Sequence, residues 1–183
     1  MTSWFNCKKK TELQTIATNI EALALKFSKH FGISIDNIQG CTEEEILQLE
    51  KDFGRFPVLY KKIMMRVGKG IKNIKRSRID FDFFLNDVIE FTTIITKISP
   101  DDDLQYEIPY PKNLFVICHV HSGSMYFILL DENNYDAPVF IEDFNSENNQ
   151  EFILVKAYES LWDWINDFLN GKYQFILYRS DDP

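Results

Sequence analysis

The stretch that decides the fold of this chain is residues 114–131, LFVICHVHSGSMYFILLD. Two apolar runs are separated by the short turn sequence SGS, and this arrangement predicts a β-hairpin. Two more strand patterns follow it, PVFIEDF at 138–144 and EFILVKAY at 151–158. Upstream, RIDFDFFL at 78–85 alternates apolar and polar residues, as a strand with one wet face does. The sequence therefore predicts a mainly antiparallel sheet over about 79–156.

Apolar residues at helical spacing occur on both sides of this sheet region. Thr42 and Glu45 have the spacing of a capping box, and Pro57 is expected at the first position of the next helix, where a missing N–H has no cost. Ser160 is a candidate N-cap for a C-terminal helix. Residues 86–98 fit either a short helix or a strand. The predicted helices cover residues 11–31, 42–53, 57–67 and 160–170. The fold class is α+β, a mainly antiparallel sheet packed by N-terminal helices and a C-terminal helix.

The composition is that of an ordinary globular protein. The chain has 183 residues, of which 45% are hydrophobic and 26% charged, and this length predicts a single domain over 1–183. No apolar run approaches the roughly 18 residues that a membrane span requires, and the first residues, MTSWFNCKKK, lack the apolar segment of a signal peptide. The three cysteines are widely spaced, so reduced thiols and a cytoplasmic location are expected.

The two halves of the chain carry opposite charge. Residues 1–78 hold 15 basic and 8 acidic side chains, a net charge of +7, and residues 79–183 hold 5 and 20, a net charge of −15. A half-chain this acidic attracts a basic partner and repels nucleic acid. The basic run over 61–78 leaves contact with phosphates as an alternative to a solvated surface. The acidic chain as a whole favours the solvated surface, so no nucleic-acid partner is expected.

The segment CHVHSG, residues 118–123, contains candidate metal or catalytic side chains. On a strand, His119 and His121 share one face and Cys118 points to the other, which disfavours a Cys–His nucleophilic pair. Two histidines would need a third ligand for a catalytic zinc site. A carboxylate from elsewhere stays an alternative third ligand. The sequence favours a hairpin strand with a buried Cys118, without a metal or a cofactor.

Several positions outside this motif resemble the SUKH superfamily. The resemblance covers roughly residues 42–170, and the quoted positions are Gly54, Phe56, Pro57 and Tyr60 for its Gly-x-x-Leu-Pro-x-x-Tyr-like step, Gly68 and Gly70 for a glycine-rich break, and Ser160, Leu161 and Trp162 for the start of its final helix. Phe56 departs from the usual Leu. The resemblance implies a SUKH-like core over 42–172 with an additional N-terminal helical segment over 8–41, and a protein that binds other proteins without enzymatic activity.

The bacterial members of this superfamily are largely immunity proteins, and this resemblance implies a function. We expect an immunity protein that neutralises a cognate toxin, one that acts on nucleic acid, by presenting an acidic surface to a basic toxin domain. The alternative is an intracellular scaffold or regulatory domain of the same fold that binds another protein. The predicted contact residues lie in two loops and at the end of a strand: Asp101, Asp102, Asp103, Asp131, Glu132, Asp136, Glu142 and Asp143.

Overall fold

A computed structural model describes residues 20–29, 32–72, 81–97, 110–120, 125–130, 134–145 and 151–170. Within these ranges the helices are α1 (20–29), α2 (Glu43–Phe53), α3 (Val58–Val67), α4 (Leu85–Lys97) and α5 (Leu161–Leu169). The strands are β1 (Ile38–Gln39), β2 (Gly70–Ile71), β3 (Phe81–Asp82), β4 (Leu114–Val120), β5 (Met125–Leu129), β6 (Val139–Asn145) and β7 (Glu151–Tyr158). The chain has the α+β fold that its sequence predicts.

The main sheet has five strands in the order β3-β4-β5-β6-β7, and every neighbouring pair is antiparallel. The predicted hairpin is confirmed as β4 and β5, with Leu114 opposite Leu129 and His119 opposite Met125. A bulge between Val116 and Cys118 interrupts this pairing. A separate pair, β1 and β2, is also antiparallel.

Local capping signals explain where three of the helices begin. The predicted capping box is present at α2, where the Thr42 hydroxyl and the Glu45 carboxylate each accept a hydrogen bond from the other residue's N–H. The predicted cap of α5 is also present, because the Ser160 hydroxyl accepts a hydrogen bond from the Asp163 N–H at 3.0 Å. Pro57 lies one position earlier than predicted, as the N-cap of α3 instead of its first helical residue.

The structure describes residues 81–85 of RIDFDFFL, and they are only partly the strand that the sequence predicts. Phe81 and Asp82 form strand β3, whereas Leu85 is the first residue of α4. The Val88 N–H donates to the Phe84 carbonyl at 3.1 Å, which is the first α-helical hydrogen bond of α4. The Leu85 N–H donates to the Gly68 carbonyl at 2.8 Å and so joins the start of this helix to the end of α3. The segment that fitted either structure is therefore a helix.

The sheet buries a cluster of apolar side chains on each face. The first cluster lies against α1, α2, α3 and α5, and its largest fully buried members include Phe27, Tyr60, Phe115, Tyr126 and Trp164. The second cluster is smaller and lies against α4; its buried members are Ile95, Leu114, Val116 and Phe127. The five-stranded sheet therefore has a large apolar cluster on one face and a smaller one on the other.

Candidate functional site

The described part of CHVHSG behaves as a strand. Cys118 is fully buried in the first cluster, and His119 points to the other face, where its ring lies 4.3 Å from the ring of Phe91. This arrangement separates Cys118 from His119, as strand alternation predicts. His121 lies outside the described residues. Among the described residues, no group of three or more His, Cys, Asp or Glu side chains is placed to hold a metal ion.

The connection between β5 and β6 holds a predicted contact residue, Asp136, but its carboxylate has an intramolecular role. One oxygen accepts hydrogen bonds from the Ala137 N–H at 2.8 Å and from the Leu161 N–H at 2.9 Å. Leu161 is the first residue of α5, so Asp136 satisfies a free N–H at that helix end. Partial burial raises the pKa of this carboxyl, and the backbone hydrogen bonds oppose that rise. Asp136 thus fixes the connection to α5.

The same connection is also tied to α3. The Tyr135 carbonyl accepts a hydrogen bond from the Leu59 N–H at 2.9 Å, in the first turn of that helix. The Tyr135 side chain remains 41% exposed, and that of Val58, next to Leu59, is 38% exposed. Tyr135 is therefore held by α3 and Asp136 by α5. The side chains of Tyr135 and Val58 are partly exposed to solvent at this place.

The sequence prediction placed Asp131, Glu132 and Asp136 in a loop and did not single out Tyr135, which lies between them in the sequence. The available signal was an aromatic residue inside ENNYDA, since aromatic residues are enriched at the centres of protein interfaces. Asp131 and Glu132, two of the predicted contact residues, come shortly before Tyr135 in the sequence and lie outside the described residues. We name Val58 and Tyr135 the turn surface, and we refer to Asp131 and Glu132 as the acidic residues that precede it in the sequence.

Glu142 is a predicted contact residue whose side chain lies between an apolar neighbour and a hydroxyl group. Its position in β6 is directly opposite Leu154 of β7, and its carboxylate accepts a hydrogen bond from the Tyr110 hydroxyl. The carboxylate is more than half buried, and this burial raises its pKa from 4.5 to about 7. Glu142 is therefore not an ordinary surface carboxylate that is fully charged at neutral pH.

The remaining predicted contacts are less fully described. The backbone of Asp143 pairs with Ile153 in the β6–β7 ladder. Asp101, Asp102 and Asp103 lie outside the described residues. Of the eight predicted contact residues, the structure describes the side chains of Asp136 and Glu142, and both make internal hydrogen bonds.

Three basic side chains of the run over 61–78, those of Lys61, Arg66 and Lys69, are paired with acidic side chains. Lys61 lies 2.9 Å from Glu50, Arg66 lies 3.0 Å from Glu21, and Lys69 lies 2.6 Å from Glu45. The Lys69 ammonium also helps to lower the pKa of the Glu45 carboxyl. Charges that are already paired attract phosphates less strongly, so these contacts favour the solvated surface over a phosphate-binding one. In the described ranges no helix is long and apolar enough to cross a membrane.

The α2–α3 step has the features that the sequence singled out. Gly54 ends α2 at a φ of 116°, a backbone conformation that favours glycine. Phe56 and Tyr60 then pack on Phe115 of the sheet, with ring centroids 4.7 and 5.9 Å away. Residues 40–170 match the SMI1 / KNR4 family (SUKH-1). This chain belongs to the SUKH-1 family.

The SUKH-1 match spans most of the described structure, from the residue after β1 to the end of α5. It leaves out α1, although Leu23, Ala24 and Phe27 of that helix are buried in the first cluster. No curated protein matches the chain. SUKH-1 membership supports an immunity-protein-like or related function based on protein–protein interaction.

Proposed function

We propose that this SUKH-1 protein is a cytoplasmic immunity protein that binds and neutralises a cognate toxin domain with a basic surface. In this proposal it catalyses no reaction and needs no cofactor, and the toxin acts on nucleic acid. The match of residues 40–170 to the SUKH-1 family carries the proposal. The net charge of −15 on residues 79–183 supports the choice of a basic partner.

The turn surface is the part of the molecule that best suits this role. Its backbone is held to α3 through Tyr135 and to α5 through Asp136, so little ordering is needed when a partner binds. Val58 and Tyr135 supply exposed apolar area, and Asp131 and Glu132 supply negative charge close by in the sequence. Apolar and aromatic contacts stabilise a complex, whereas charges at its rim mainly speed association.

The first experiment tests the function itself. The chain is co-expressed with the products of the genes adjacent to its own, and cell growth is measured with and without the chain. The proposal expects one product to be toxic and its toxicity to be suppressed by the chain at a stoichiometry near one to one. If no adjacent product is toxic, or if the chain suppresses none, the immunity function is wrong and the regulatory domain becomes the better interpretation.

The second experiment tests Asp131 and Glu132, the acidic residues that precede the turn surface in the sequence, with the neutralised toxin domain as the probe. Replacing Asp131 and Glu132 together by Lys should slow association by about tenfold and weaken its dependence on salt, with dissociation changing less. Replacing Asp101, Asp102 and Asp103 by Lys tests the other acidic loop in the same way. Glu90→Lys, an exposed reversal on α4, is the control for altered net charge. If both loop variants associated with the toxin as fast as the wild-type chain and the Glu90→Lys control, the acidic-surface mechanism would be wrong.

The third experiment tests the turn surface itself. Tyr135→Ala should speed dissociation by about 30-fold, since truncating an interface anchor commonly weakens binding by about 2 kcal/mol. The Tyr135 carbonyl that holds α3 belongs to the backbone and is retained in this variant. Leu47→Ala, an exposed apolar truncation on α2, should leave dissociation unchanged. A dissociation rate for Tyr135→Ala that equals the control would place the contact elsewhere.

A further inference from the structure

Tyr110 and Glu142 form a contact between two segments that are distant in sequence. Tyr110 is the first described residue after the acidic loop, and it precedes β4, whereas Glu142 lies in the middle of β6. The Tyr110 hydroxyl donates to the Glu142 carboxylate, and the Tyr110 ring lies 6.1 Å from the ring of Phe127 in β5. This contact therefore spans the second face of the sheet from the edge of β4 to β6.

The surroundings of the Glu142 carboxylate are almost entirely apolar. Leu154 lies directly across the β6–β7 ladder, and Phe140, two residues away on the same face, lies opposite Phe127. All three side chains belong to the second cluster or pack against it. A buried carboxylate has capacity for several hydrogen bonds, but the Tyr110 hydroxyl is its one donor among the described residues.

Other titratable or charged groups do not compensate a charge on Glu142. Lys156 lies on the same face of β7, opposite Phe140, but its ammonium is 2.7 Å from the Glu159 carboxylate. His119 of β4 has its ring against Phe91 of α4. The Tyr110 hydroxyl is the titratable group that contacts the Glu142 carboxyl directly. Burial is accordingly the cause of the raised pKa of Glu142.

We propose that the Tyr110–Glu142 contact is a proton-dependent contact that is closed when Glu142 is neutral and opens when Glu142 ionises. The neutral carboxyl fits the apolar surroundings and hydrogen-bonds Tyr110. The ionised carboxylate is better solvated by water than by a single hydroxyl, so it turns outward and leaves Tyr110. The opening frees the segment that joins the acidic loop to β4. This device is independent of the proposed function, because it requires no partner.

The opening should occur in the neutral range, because the pKa of Glu142 is about 7. The ionised fraction then rises from about one tenth at pH 6 to about nine tenths at pH 8. The experiment follows the Glu142 side-chain carboxyl and the Tyr110 ring by NMR in the full chain between pH 5.5 and 8.5. We expect both signals to change with one common midpoint near pH 7, and the amide exchange of residues 110–116 to rise above its intrinsic pH dependence over the same range.

Three variants make the test decisive. Glu142→Gln keeps the side chain neutral, so the Tyr110 signal and the corrected amide exchange should become independent of pH. Glu159→Gln removes an exposed carboxylate at the end of β7 and should leave the transition unchanged. Tyr110→Phe removes the hydroxyl but keeps the ring, so Glu142 should still titrate while the ring signal at position 110 loses its transition.

Two results would overturn the proposal. One is a Tyr110 signal in the wild-type protein that stays constant while Glu142 titrates. The other is a Tyr110 transition that persists in Glu142→Gln. Circular dichroism of each variant establishes that it is folded. None of these measurements uses the toxin, so a failure here is distinct from a failure of the proposed immunity function.

Discussion

The two faces of the five-stranded sheet differ in what they bury. On the first face, Phe56, Tyr60 and Phe115 pack edge to face or tilted, and Trp164 stacks against Phe83 with ring centroids 6.1 Å apart. On the second face, α4 covers a smaller cluster that borders polar groups, among them Thr92 and Glu142. The first face thus buries more large apolar side chains than the second, and the second face includes a carboxyl group, Glu142, whose pKa is raised by burial.

Even the first face has a polar atom within it. The Tyr60 hydroxyl is fully buried and has no hydrogen-bond partner among the described residues. Burial raises the pKa of this hydroxyl, with the nearby Cys41 and Cys118 thiols as further causes. The hydroxyl therefore remains neutral at any ordinary pH, in contrast to the Glu142 carboxyl on the second face.

The largest expected difference between the faces is in the stability lost on truncating a buried side chain. Phe115→Ala removes a ring that packs on Phe53, Phe56 and Tyr60, so the free energy of unfolding should fall by about 3–5 kcal/mol. Ile95→Ala, a smaller truncation under α4, should lower it by about 2–3 kcal/mol, because fewer atoms are removed and fewer large side chains border the cavity. Urea unfolding measures both values. Equal losses would show that the two faces contribute equally.

A smaller effect is expected from the hydrogen bonds that join α4 to the second face. The Thr92 hydroxyl donates to the Val88 carbonyl at 2.7 Å and accepts from the Val116 N–H at 3.0 Å, where the bulge interrupts the β4–β5 pairing. Thr92→Val keeps the shape of the side chain but leaves the Val116 N–H without this acceptor. The free energy of unfolding should fall by about 1–3 kcal/mol, again measured with urea.

Thr92→Ser is the control for this prediction, because it retains the hydroxyl and removes one methyl group. It should be less destabilising than Thr92→Val. The reverse order would mean that Thr92 contributes by apolar packing instead of by its hydrogen bonds.

The sequence predicted the features that depend on near neighbours. The capping box of α2, the Ser160 cap of α5, the hairpin and the four strands from β4 to β7 follow from residues a few positions apart, and these predictions are confirmed. Residues 86–98 remained open because their apolar residues fit both a helical and a strand period. A tertiary contact helps to decide between them, since Thr92 reaches the N–H that the bulge exposes in β4.

The acidic residues show where sequence reasoning stops. Asp136 binds the N–H of Leu161, 25 residues away, and Glu142 binds the hydroxyl of Tyr110, 32 residues away. Neither partner can be identified from charge patterning, which treats every loop or edge carboxylate as exposed. The role of the predicted contacts in binding stays a prediction.

A loss of stability of intermediate size is expected if Asp136 has an internal role as a hydrogen-bond acceptor, and not only a role in binding. Asp136→Ala removes the acceptor for the Ala137 and Leu161 N–H groups and should lower the free energy of unfolding by about 1–2 kcal/mol. Asp136→Asn keeps an oxygen at the same position and should restore most of that loss. Thermal unfolding of the two variants measures the difference. If Asp136→Asn were as unstable as Asp136→Ala, the charge and not the hydrogen bonds would be responsible.

The smallest expected effect is the pH dependence of stability from the second face. The folded-state pKa of Glu142, about 7, lies above the unfolded value of 4.5, so its contribution to stability is fully present below pH 4.5 and is lost as the pH rises through 7. Because the side chain is partly exposed, we expect a loss on the order of 1 kcal/mol between pH 5 and 8. Urea unfolding across this range measures the loss, and Glu142→Gln should remove this part of the slope. A wild-type slope that Glu142→Gln leaves intact would assign the pH dependence to other groups and remove the energetic distinction between the two faces at neutral pH.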